Sequence, residues 1–97
     1  MNYSLHPLAE RDLRDAAAFY RDQAGQQVAG RLFDEFERIA RLLSLYPGIG
    51  TPISRDQRTF PLRVFPYTVV YRQTKPGIRV FAVRHQRRKP GHGENLR

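Results

Sequence analysis

The sequence predicts an α+β domain, an antiparallel helical hairpin packed on a small antiparallel β-sheet in the order β-α-α-β-β-β. Three observations carry this. Apolar residues recur at helical spacing from about residue 7 to residue 46. The period then drops to two over residues 59–84, where β-branched and aromatic residues dominate. Proline and glycine punctuate the chain at Gly25, in the run PGIGTP (47–52) and at Pro76-Gly77.

Residues 2–5 (NYSL) suit a short first strand. Pro7 then opens a helix, because its missing N–H costs nothing in the first turn. Ala9, Leu13, Ala16, Ala17, Tyr20 and Ala24 mark the buried face of that helix, and Gly25 ends it. A second helix is expected from about 26 to 46. Its apolar residues Val28, Ala29, Leu32, Phe33, Phe36, Ile39, Ala40, Leu43 and Tyr46 cover an arc of roughly 140°. An arc that wide suits packing against both a helix and a sheet. Glu10→Arg14, Asp34→Arg38 and Glu37→Arg41 are spaced for i,i+4 pairing on the wet faces. Strands are expected in TFPLRVF (59–65), TVVYRQ (68–73) and IRVFAVR (78–84), with Pro61 confining the first to an edge or a bulge. Lys75-Pro76-Gly77-Ile78 fits a type II turn joining the last two. Strict alternation would put Phe81, Val83 and His85 on one face of the last strand, and Val80, Ala82 and Arg84 on the other.

The 97 residues bound this to one domain, expected over 1–90, with 91–97 as a flexible basic tail. There is no cysteine, which excludes disulfides and thiolate metal sites. His85 and His92 have no acidic cluster beside them and no recognised ligand spacing, so neither metal nor cofactor is expected. The segment MNYSLHPLAERD lacks the basic and apolar regions of a signal peptide, and no apolar run reaches membrane-spanning length. The expected location is the cytoplasm, with no membrane partner. Charge is lopsided. Residues 1–50 carry six arginines against seven acids, whereas residues 51–97 carry eleven Lys+Arg against Asp56 and Glu94. Such asymmetry points to a polyanionic partner, either nucleic acid or an acidic protein segment.

Ala9 and Leu13, Pro47 with Gly50, Arg63 in LRVF, PYTVVYR (66–72) and the closing Ala82-Val83-x-His85-x-x-Arg88-x-Pro90-Gly91 follow one another in an order that resembles the RelE/ParE superfamily of bacterial toxins, and its ParE-like branch most. Many similar members carry an aromatic pair shortly after the Pro-Gly, where His92 and Gly93 stand here. The resemblance implies the toxin subunit of a type II toxin–antitoxin, or plasmid stabilisation, module. It also implies a hetero-oligomer with a cognate antitoxin, whose acidic segment the basic half would attract. Members differ in what they poison. ParE-like ones inhibit DNA gyrase without a catalytic set, while RelE-like ones cut mRNA in the ribosomal A site. Composition alone adds a third reading, a basic nucleic-acid-binding domain without enzymatic activity.

RNA cleavage by 2′-OH attack needs a base, positive charge on the phosphorane and an acid. His85, Arg63 and Arg88 are the candidate catalytic residues for an mRNA endoribonuclease. No carboxylate base is evident, since Asp56 falls in a loop and Glu94 in the tail. Arg63, Arg72, Arg84, Arg87, Arg88 and Lys89 are candidates for nucleic-acid or target binding. Tyr67 and Tyr71 are of a type that stacks on bases, although Tyr71 alternates with Val70 and suits a core position as well. Leu8 and Phe19 on the first helix and Leu42 on the second lie off the core stripes. They are the candidate antitoxin contacts beside the helical hairpin.

Overall fold

A computed structural model of the chain describes residues 2–87. It contains β1 (Tyr3–Leu5), α1 (Pro7–Ala24), α2 (Gln26–Leu45), a single 3-10 turn (Pro47–Ile49), β2 (Thr51–Pro52), β3 (Arg58–Pro61), β4 (Tyr67–Gln73) and β5 (Ile78–His85). Arg88, Lys89 and the tail expected at 91–97 lie outside the described residues.

Both helices form where the apolar spacing put them, and their ends have physical causes. His6 caps α1 through Nδ1, which accepts from the Leu8 amide at 3.0 Å. Gly25 ends α1 and starts α2 with φ at 95°, a left-handed conformation that disfavours any residue with a Cβ. The buried face of α1 is Ala9, Leu13, Ala16 and Ala17, mostly small residues that permit close approach to its neighbours. That of α2 is Ala29, Leu32, Glu35, Phe36, Ile39, Ala40 and Leu43. Phe33 and Tyr46, expected in this stripe, are exposed at its margins instead. Of the three expected helical ion pairs, Glu10–Arg14 and Glu37–Arg41 form, at 4.0 and 3.2 Å. Asp34 and Arg38 do not approach within ion-pair distance.

The sheet has five strands in the order β1-β5-β4-β3-β2. It is mixed rather than wholly antiparallel, because β1 runs parallel to β5, with Tyr3 opposite Ile78 and Leu5 opposite Val80. The connection between these two parallel strands runs through both helices and then through β2, β3 and β4. Thr51–Pro52, expected as loop, adds a short outer strand against Arg58 and Thr59. Phe60 and Pro61 lie beyond the reach of β2, so Pro61 sits at an uncovered edge as its missing N–H requires.

Three corrections concern the strands. The segment 62–66 is not strand: β3 stops at Pro61, and the chain loops from Leu62 to Pro66. The hairpin turn between β4 and β5 runs from Thr74 to Gly77 with a cis Lys75–Pro76 peptide, one residue earlier than a type II turn would place it. Finally, Val70 pairs with Ala82 and Tyr71 with Val80, leaving Phe81 as a bulge. The bulge switches the face, so Val80 and Val83 are both buried while Phe81 turns away from the core. One core results, with α1 and α2 closing over Val69, Tyr71, Ile78, Val80 and Val83.

Candidate functional site

The concave features arise where elements end unequally. β1 stops at Leu5, and the His6 amide makes the last bond of that edge, to Val80 O at 2.8 Å. β5 continues to His85, so its last residues face α1 instead of a strand. The resulting groove is walled on one side by Leu8, Asp12, Asp15 and Phe19, and on the other by Phe81, Val83, Arg84 and His85. Leu8 and Phe19 are 52% and 48% exposed, a large apolar offering for two residues on one helix face. Asp12 meets the uncovered sheet edge directly, its Oδ2 accepting the Val83 amide at 3.0 Å. A carboxylate there blocks casual strand pairing, as charges on exposed edges do.

The basic residues are dispersed. Arg72 on β4 lies 5.2 Å from the Phe81 ring centroid and pairs with Asp56 at 3.4 Å. Arg84 projects from β5 and is exposed, as is Arg87 just beyond the strand. His85 is half-buried, its ring edge-on to Tyr67 at 5.1 Å, and its Nδ1 accepts the Arg87 amide at 3.0 Å. That nitrogen is committed to shaping the chain's exit from β5. Arg63 lies elsewhere, on the 62–66 loop against α2, where it shares a concavity with Arg31, Arg38 and Val64. Arg63 and His85 therefore line different concavities.

The tyrosines are structural. Tyr67 is buried between helix and sheet. Tyr71 is fully buried, its hydroxyl donating to Pro47 O at 2.7 Å and accepting the Gly50 amide at 3.0 Å. Burial raises the pKa of that hydroxyl, opposed by the Gly50 amide and by the nearby Arg58 charge. Neither ring offers a face to a base. Leu42 is half-buried on α2 and does not line the groove, so of the three expected antitoxin contacts the structure brings together only Leu8 and Phe19.

The sequence profile described as ParE toxin of type II toxin-antitoxin system, parDE, matches residues 3–90. The chain belongs to the ParE toxin family. Two curated relatives, Toxin ParE2 from two strains of Mycobacterium tuberculosis, are each 33% identical over 87 residues, covering 89% of this chain and 82% of theirs. A solved chain of the chromosomal ParDE toxin–antitoxin system from P. aeruginosa superposes with a TM-score of 0.75. That match covers 88% of this chain and 95% of the other at 18% identity, and speaks for the fold alone. Membership makes this ParE-family chain a toxin subunit with an antitoxin as its partner. No helix among the described residues is long and apolar enough to cross a membrane.

Sequence reasoning missed three carboxylates of this ParE-family structure. Asp12 and Asp15 belong to the row Leu8, Asp12, Asp15, Phe19, spaced as one helical face, and that spacing was the available signal. Glu35 stands three residues after Leu32 and four before Ile39, inside the apolar stripe, where a charge is rarely buried without a partner.

Proposed function

We propose that this ParE-family toxin inhibits DNA gyrase by binding it, without cleaving RNA, and that its antitoxin silences it by filling the groove between α1 and β5. The observation that carries the binding reading is that the would-be catalytic groups line different concavities. Arg63 lies against α2, while His85 ends β5 with Nδ1 engaged by the Arg87 amide. A phosphoryl-transfer site needs its base and its charge stabiliser around one reacting atom. Arg84 and Arg87, exposed at the end of β5, are instead placed to contact a large target, in the cytoplasm where gyrase works. The antitoxin reading rests on Leu8 and Phe19, an apolar pair on one helix face, which is how an amphipathic segment is received. An acidic antitoxin would be steered by the basic second half of the chain.

Induced expression with separate pulse labelling of DNA and protein synthesis tests the target. DNA synthesis is expected to fall first, with induction of the SOS response. A halt in protein synthesis with mRNAs cut inside codons would overturn the gyrase assignment. Leu8→Glu with Phe19→Glu tests the groove. The variant is expected to stay toxic while co-expressed antitoxin no longer protects. Full protection would remove the groove from consideration.

A further inference from the structure

A second surface, on α2 and the 62–66 loop, shares no lining residue with this groove. Glu35 is buried on the inner face of α2, and its carboxylate accepts the backbone amides of both Arg63 and Val64. A buried carboxylate is stable only where such donors meet its charge. The consequence is a loop of fixed shape. Leu62 and Phe65 point into the core, while Arg63 and Val64 are turned outward, Val64 to 73% exposure. Beside them stand Arg31 and Arg38, two helical turns apart on α2 and lining the same concavity. Among the described residues, none of these three arginines lies within 4.0 Å of a carboxylate, although Glu10, Glu37 and Asp56 each hold an arginine elsewhere.

We infer that the concavity formed by Arg31, Arg38, Arg63 and Val64 docks an acidic segment of a partner protein. Three guanidinium groups with no carboxylate partner among the described residues supply the charge complementarity, and they are suited to bidentate carboxylate recognition. The protruding Val64 favours a peptide, whose apolar side chains can cover it, over the continuous phosphate backbone of a nucleic acid. No residue lines both this concavity and the α1/β5 groove, so the two can be occupied together. The inference stands whichever target the toxin poisons, because it concerns a binding event measurable without toxicity.

The test is fluorescence anisotropy of the full chain at physiological salt against two probes. One is a short fluorescein-labelled peptide of alternating glutamate and leucine, the other an oligothymidylate of equal charge. Combined Arg31→Ala, Arg38→Ala and Arg63→Ala is expected to weaken peptide binding about tenfold, as three modest ion-pair contacts together imply. Combined Arg11→Ala, Arg14→Ala and Arg55→Ala removes the same charge elsewhere and is expected to change it less than about twofold. Val64→Ser, which leaves charge and the Glu35 contacts in place, is expected to weaken the peptide and spare the oligothymidylate. Equal losses in both triple variants would reduce the surface to general basicity and overturn the inference. Tighter oligothymidylate binding that depends on the same three arginines would overturn it in favour of a nucleic acid. Circular dichroism checks that each variant is folded.

Discussion

Tyr71→Phe deletes one oxygen from the middle of the molecule and leaves the ring's packing in place. That oxygen donates to Pro47 O and accepts the buried Gly50 amide, so it fastens the 47–50 turn to the sheet. Losing the bond to Pro47 costs about 0.5–1.5 kcal/mol net, and leaving the Gly50 amide unpaired costs about 1–3 kcal/mol. The turn is not wholly freed, because Arg58 still reaches Gly48 O at 3.2 Å and Gly50 O at 2.8 Å. Nor can a larger residue refill the space at Gly50, where an added Cβ would lie 2.8 Å from Thr59 O. The expected loss is about 2–4 kcal/mol, a large part of the roughly 5–15 kcal/mol that holds a domain folded. In a chain of this size it lowers the melting temperature by on the order of 10–20 °C. Urea unfolding followed by circular dichroism reads the loss directly, as a lower midpoint with unchanged slope. A loss below about 0.5 kcal/mol, the ordinary range of an exposed substitution, would refute the account of Tyr71 as the anchor of this turn.

The same hydroxyl predicts a response to alkali. Its pKa is raised in the folded state, chiefly by burial, so its contribution is whole below the unfolded value near 10 and is lost as pH rises through the folded one. Stability should fall above about pH 10, and less steeply in Tyr71→Phe; Tyr3, raised by burial and by Glu37, supplies the remainder. Glu35→Gln replaces the charged acceptor of two loop amides and is expected to cost about 1–2 kcal/mol, with faster hydrogen exchange at Arg63 and Val64. Unchanged exchange at both amides would deny Glu35 its hold on the loop. Gly25→Ala meets no atom within 4 Å, so its cost is the positive-φ backbone alone, about 1–3 kcal/mol by thermal melting. A larger loss would mean that the interhelical connection has a packing role as well.

What could be read from the sequence was what is local. The helices rest on spacing within a few residues of Leu13 or Phe36, and Gly25 announces its own conformation. LRVF reads as strand by composition, yet its Arg63 and Val64 amides are taken by Glu35, far back in the chain on α2, and no local pattern reveals that competition. The face of β5 was misassigned for a related reason. Counting by twos assumes an unbroken ladder, and a bulge at Phe81 breaks it without a glycine or proline to mark the place. The partners of Tyr71 were equally remote, in a turn that sequence marks only as a turn. At the site, Leu8 and Phe19 were legible because exposed apolar residues stand out from a helical stripe. Asp12 and Asp15 share that helical face, but nothing local shows that Asp12 meets the remote Val83 amide. Leu42 satisfied the same angular criterion, but α2 turns that flank away from the groove.

Strand β1 has a further consequence, for the order in which the toxin can come into being. Among the described residues its strand partner is β5 alone, so Tyr3 waits unpaired until Ile78 has been made. The helical hairpin assembles from near neighbours and can form early, whereas β1 joins the sheet only when β5 arrives beside it. A nascent or prematurely terminated chain lacking β5 has neither the cover for β4 nor the wall of the groove opposite α1. For a toxin, this topology ties competence to β5: a chain that stops short of Ile78 leaves the sheet unclosed.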